Sequence, residues 1–277
     1  MRRCDLREQL QRDGYIILED FASEETCDSL RARADHLVKT LSENTPLSLF
    51  TTAEERRQTD DYFLGSGREI SFFFEEDAIV DGQLTLPRDV ACNKIGHALH
   101  DLDPLFDQFS RSASMRRLAQ DIGFVDPLLI QSMYIFKNPQ VGGRVDWHQD
   151  ACFLHTDPLT VKGFWFALEE ATQENGCLWV VPGGHTQGLK KRFVRGPAGE
   201  TEFLRLDTST LDVKGAIPLE VSPGALVVFD GTLPHFSAAN RSSKRRSAYT
   251  LHLIERAAAY SADNWLQPTI ERPWRGF

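Results

Sequence analysis

The chain is poor in the features that mark several protein classes. Its five cysteines, Cys4, Cys27, Cys92, Cys152 and Cys177, are odd in number and never spaced CxxC. That excludes a disulfide framework or a zinc ribbon and fits reduced thiols. No apolar run approaches the roughly 20 residues that a membrane-spanning helix needs. Positive charge is in deficit: 31 Lys and Arg stand against 40 Asp and Glu, a formal net charge of −9. This balance argues against nucleic acid or an anionic membrane as the main partner and leaves a small molecule. Arg2 and Arg3 are followed by Asp5, Glu8 and Gln11, not by an apolar stretch, and the last residues are not an SKL-type address. A cytoplasmic protein is expected. With no internal repeat, low-complexity tract or linker, the 277 residues are expected to form one domain.

What is present is a change of character near residue 128. Residues 1–44 read as helix, strand, helix. Asp13-Gly14 signals a turn before the apolar run Tyr15-Ile16-Ile17-Leu18, and Ser23 is an N-cap with Glu24 and Glu25 in the first turn. Residues 52–61 read as a charged helix, 70–74 as an aromatic strand or lid, and 95–109 and 112–122 as helices. From 128 onward, short β-like runs at 129–136, 163–168, 178–181, 217–221, 225–229 and 247–254 are separated by Gly- and Pro-containing turns. That pattern predicts a β-sandwich or barrel, not βαβ units. The expected architecture is mainly β: a double-stranded jelly roll over 128–277, with a mostly helical part, 1–127, packed on it.

Within the β-rich part lies Val145-Asp146-Trp147-His148-Gln149-Asp150. In extended chain, alternate side chains point the same way, so His148 and Asp150 converge on one face. They supply two thirds of the 2-His-1-carboxylate triad that non-haem iron enzymes use. Among the later histidines, His155 is too close in sequence and His185 follows the loop Pro182-Gly183-Gly184. His252 alternates with Thr250 and Ile254 as a core residue would. His235 follows the run 225–229 and the turn Asp230-Gly231, which makes it the best third ligand. Two imidazoles and one carboxylate leave three iron positions open, enough for a bidentate 2-oxo acid and O2. A 2-oxoglutarate cosubstrate would need a fixed cation for its far carboxylate. Arg246 begins the last strong strand and shares a face with Ala248, Thr250 and His252, while Arg245 points to the other face.

Taken together, Asp13–Phe21, His148-Gln149-Asp150, Glu174-Asn175-Gly176-Cys177-Leu178, Pro182-Gly183-Gly184-His185, Arg246–Thr250 and Asn264–Pro268 resemble the phytanoyl-CoA dioxygenase family. The likeness covers nearly the whole chain and is greatest to its domain-containing members. It implies Fe(II), 2-oxoglutarate, stimulation by ascorbate, and hydroxylation of an unidentified small molecule with release of succinate and CO2. It further implies that Lys94, Met133, Trp165, Ser237 and Arg246 hold 2-oxoglutarate beside the ligands His148, Asp150 and His235. Asp150 fills a position that halide-transferring relatives keep small, so halogenation is not expected. Phe72-Phe73-Phe74, Tyr134, Gln149 and Trp179 are candidates for the substrate side. Two other readings stand beside this one: a cupin-like metal enzyme that does not use 2-oxoglutarate, and an inactive metal-dependent binding or sensor protein.

Overall fold

A computed structural model of the protein describes residues 3–49 and 61–277. Its strands of three or more residues are β1 (Tyr15–Leu18), β2 (Ile70–Phe74), β3 (Cys92–His97), β4 (Pro127–Lys137), β5 (Val145–His148), β6 (Lys162–Ala167), β7 (Leu178–Val180), β8 (Lys191–Arg195), β9 (Thr201–Arg205), β10 (Ile217–Leu219), β11 (Leu226–Asp230), β12 (His235–Ser237) and β13 (Arg246–Glu255). The larger sheet runs β1-β11-β6-β13-β4-β3-β2 and the smaller β10-β7-β12-β5, while β8 and β9 form a separate hairpin. Two facing antiparallel sheets of this kind form the expected cupin-like jelly roll.

Side-chain alternation along the central strands divides the apolar material into two layers. On β13, Tyr249, Leu251 and Leu253 point outward, as do Tyr134 and Phe136 on β4. They meet α1 (Arg3–Asp13), α2 (Glu24–Lys39), α3 (Pro104–Ser110) and α4 (Ala113–Asp121). Cys27, Leu30, Ala34 and Val38 form the buried stripe of α2 in that layer. Ser23 caps this helix by accepting from the Thr26 amide at 3.2 Å. The second layer lies between the sheets, where Ala167, Val180, Leu219, Val227 and Phe229 meet. At about 1.5–3 kcal/mol for each large side chain buried, these two layers hold the sheets and helices together. Cys27, Cys92, Cys152 and Cys177 are free and buried. Among the described residues, no helix is long and apolar enough to cross a membrane.

The N-terminal part differs from its expected form. It is not only a helical layer packed outside, because β1, β2 and β3 are members of the larger sheet. Residues 95–109 are not one helix: Cys92–His97 is a strand paired to β4, followed by short helices at Leu99–Leu102 and Pro104–Ser110. Both faces of β3 are buried, so its apolar residues show no strand alternation. Of the charged helix expected at 52–61, residues 52–60 lie outside the described residues, and Asp61–Gly65 is a short helix.

Candidate active site

The sheet register brings the site together. β5 and β12 are neighbours in the smaller sheet with His148 opposite His235, so the two imidazoles stand 4.1 Å apart between ring centroids. Asp150 lies just beyond β5 in a single helical turn, Asp150–Cys152. Its Oδ1 is 3.6 Å from Nε2 of His148 and 3.6 Å from Nε2 of His235. Ligand atoms of all three residues fall within 4.8 Å of one another. Two cis ligands of an octahedral ion with bonds near 2.1 Å are separated by roughly 3 Å, so the cluster is close to closing on a metal.

Protonation favours the same use. Each histidine turns Nδ1 to the carbonyl two residues earlier, His148 to Asp146 at 2.7 Å and His235 to Leu233 at 3.0 Å. With Nδ1 donating, Nε2 keeps its lone pair toward Asp150. Burial, reinforced by His235, pushes the His148 imidazole down to about 3, so it is neutral at physiological pH. Burial alone would raise Asp150, but His252, His235 and His148 outweigh it and hold the carboxyl below its ordinary value.

His252 does not simply face the core. Its Nε2 donates to Asp150 Oδ2 at 2.9 Å, leaving Oδ1 for a metal. Gly163 makes room for this pair, because a β-carbon there would stand 2.9 Å from Asp150 Oδ2 and 2.5 Å from the Phe229 ring. Partners that orient ligating groups typically contribute 10–100-fold to metal affinity. His252→Phe is therefore expected to weaken Fe(II) binding by about that factor in anaerobic titration; an unchanged affinity would reduce His252 to a packing residue.

Arg246 lies at the other end of the cavity. It is 1% exposed, donating from Nε to the Gly176 carbonyl at 3.1 Å and from Nη2 to Ser237 Oγ at 3.2 Å. Its guanidinium lies over the Trp165 ring at 5.3 Å. Burial lowers its pKa to about 10, so it stays a cation at physiological pH. Nη1 is buried without a hydrogen-bond partner, and among the described residues no carboxylate forms an ion pair with the group. A buried charge left in that state calls for an anion. Arg245, one residue away, turns outward to Asp35 at 2.7 Å and Glu169 at 3.3 Å, as strand parity requires.

All eight expected site residues, Lys94, Met133, His148, Asp150, Trp165, His235, Ser237 and Arg246, line this one cavity. The substrate-side candidates fare differently. Gln149 points away: its amide donates to the carbonyls of Gly188 and Thr232 and accepts from the Lys190 amide, tying two loops together. Tyr134 and Phe72 belong to the helix-facing core, Phe73 packs in a cluster with Phe63 and Trp265, Phe74 packs with Ala78 and Ala91, and Trp179 borders the layer between the sheets. Three other features escaped the sequence. Gly176, at φ +87°, turns its carbonyl to both Arg246 and Ser237. Lys137 is buried opposite Arg246 and donates to the carbonyls of Gly143 and Ala238, the loops next to β5 and β12. Phe153, on the cavity wall, packs against Phe193 and Phe203 of the β8–β9 hairpin.

A family model described as Phytanoyl-CoA dioxygenase (PhyH) matches residues 10–248. The phytanoyl-CoA dioxygenase domain-containing protein 1 homolog of Dictyostelium discoideum is 43% identical over 272 residues, 96% of each chain. The phytanoyl-CoA dioxygenase domain-containing protein 1 of Bos taurus is 44% identical over 280 residues, covering 96% of this chain and 95% of its own. Among solved structures, EvdO2 from Micromonospora carbonacea var. aurantiaca complexed with 2-oxoglutarate superposes with a TM-score of 0.59 at 24% identity, covering 95% of this chain and 96% of its own. That last likeness establishes the fold. From its sequence relatives and the matched model, the chain belongs to the phytanoyl-CoA dioxygenase family.

Proposed function

We propose that His148, Asp150 and His235 seat Fe(II), and that Arg246 with Ser237 and Lys94 holds the far carboxylate of 2-oxoglutarate. The chain is a 2-oxoglutarate-dependent dioxygenase acting on a small molecule. The observation that carries the site assignment is Arg246 Nη1, a buried cationic donor without a protein partner in the cavity of the His-Asp-His cluster. It favours an anionic cosubstrate over a cupin-like enzyme that uses metal alone.

Iron bound with 2-oxoglutarate supplies the oxidation: O2 is divided between succinate, formed with CO2, and the hydroxyl group placed on a substrate C–H. The protein's residues prepare for it. His148 and His235 turn their Nε2 atoms to the metal position, and Asp150 adds one negative charge with its second oxygen fixed by His252. Met133, Trp165 and Leu178 wall the cosubstrate space with apolar surface, which excludes water and strengthens the Arg246–carboxylate attraction. The net charge of −9 supports a small-molecule partner over nucleic acid or membrane, and we take residues 1–277 as one functional domain in the cytoplasm.

Succinate release tests the reading. Purified protein with Fe(II), 2-oxoglutarate and ascorbate in air is expected to form succinate above background even without a prime substrate. No succinate from iron-loaded protein would favour the cupin-like or the inactive sensor reading.

A further inference from the structure

The cavity has two chemically different ends. Along its sheet wall, β4 and β13 pair Lys137 with Arg246, Ile135 with Ala248, Met133 with Thr250 and Gln131 with His252. Arg246 and His252 are six residues apart on one strand, about 20 Å at roughly 3.3 Å per residue. Lys94, paired with Ile135, lies toward the Arg246 end, and the two are the lysine and arginine lining the cavity. Asp150, bonded to His252, lies at the opposite end together with Gln131. A five-carbon diacid held between the His-Asp-His cluster and Arg246 would fill the Arg246 side of the cavity and leave the space beside Gln131 open.

Gln131 is the unusual residue there. It is 5% exposed, shares the cavity face of β4 with Met133 and Ile135, and its side-chain amide makes no hydrogen bond to the protein among the described residues. The amide therefore faces the cavity without a protein partner, and a ligand group that supplies one gains a hydrogen bond. Phe153, Leu154 and Trp265, the last stacked on Phe63 at 4.5 Å between ring centroids, line the same cavity with apolar surface. Among the described residues lining the cavity, the lysine and the arginine lie toward the other end, so an anionic group would meet no cationic side chain here.

Building on the proposed metal and cosubstrate site, we propose that Gln131 is the polar recognition residue for the prime substrate. That substrate is an uncharged molecule with an apolar, ring-bearing body and an amide, lactam or hydroxyl group close to the oxidised carbon. Gln131 both donates and accepts, as such a group requires. Phe153, Leu154 and Trp265 enclose the body.

Anaerobic calorimetry of the protein loaded with Fe(II) and 2-oxoglutarate tests this, using 3-phenylpropanamide, 3-phenylpropanoate and butylbenzene as size-matched probes. Wild type is expected to bind the amide most tightly, about tenfold better than either other probe, the usual effect of one buried hydrogen bond. Gln131→Leu is expected to reverse the order in favour of butylbenzene, a gain that misfolding cannot imitate. Equal binding of the three probes, tightest binding of the carboxylate, no binding of any, or an unchanged order in Gln131→Leu would overturn the proposal. Failure of the wild-type protein to take up Fe(II) and 2-oxoglutarate would instead overturn the functional reading beneath it.

Discussion

Asp150→Ala is expected to remove 2-oxoglutarate turnover and to weaken Fe(II) binding by more than about 100-fold, since partners of ligands alone contribute 10–100-fold. Three losses coincide at this position. The metal loses the only carboxylate of the cluster, so its double charge is left to two neutral imidazoles. His148 and His235 lose the oxygen toward which both Nε2 atoms point at 3.6 Å. His252 loses its acceptor, and an unpaired buried donor costs about 1–3 kcal/mol of stability. The variant should therefore melt somewhat lower than wild type yet remain folded, because the two core layers do not depend on Asp150. Anaerobic Fe(II) titration and succinate assays check both effects. Retained succinate formation would remove Asp150 from the metal site.

Arg246→Ala is expected to raise the Kd for 2-oxoglutarate by roughly 10–150-fold, corresponding to the 1.5–3 kcal/mol of a charge-assisted hydrogen bond. Fe(II) affinity should change little, since Arg246 contacts Gly176, Ser237 and Trp165 and no ligand of the cluster. Arg246→Lys should fall between the two. It restores a charge but not the planar fork that holds Nε on Gly176 and Nη2 on Ser237 while presenting Nη1. Arg245→Ala is the control. Its guanidinium is partly exposed and tied to Asp35 and Glu169, so its loss should cost up to about 1 kcal/mol of stability and leave 2-oxoglutarate affinity unchanged. An effect on 2-oxoglutarate from Arg245 and none from Arg246 would reverse the strand parity on which the assignment rests.

Parity explains much of what the sequence made legible. Period-two alternation placed His148 with Asp150 and Arg246 with Thr250 and His252, and these faces are the ones that line the cavity. The same rule, applied consistently, turns Gln149 away from His148 and Tyr134 away from Met133, although both had been candidates for the substrate side. Where periodicity carries no information, reading failed. β3 is buried on both faces, and Ile95, Leu99, Leu102, Phe106 and Phe109 recur at spacings that imitate a helix. The hairpin β8–β9 was hidden by its charge, since Lys191, Arg192 and Arg195 interrupt the apolar pattern around Phe193. Long-range partnerships such as Asp150 with His252, 102 residues apart, or Gly176 with Arg246, 70 apart, follow only from sheet register. The familiar motifs mark those positions without revealing why they are paired.

The most direct test of the proposed centre is a crystal structure of the anaerobic protein with Fe(II) and 2-oxoglutarate, using anomalous scattering to locate the metal. The expected result is one iron within roughly 2.0–2.2 Å of His148 Nε2, Asp150 Oδ1 and His235 Nε2, with the far carboxylate of 2-oxoglutarate on Arg246 Nη1. Iron at another set of ligands, or 2-oxoglutarate bound without contact to Arg246, would contradict it.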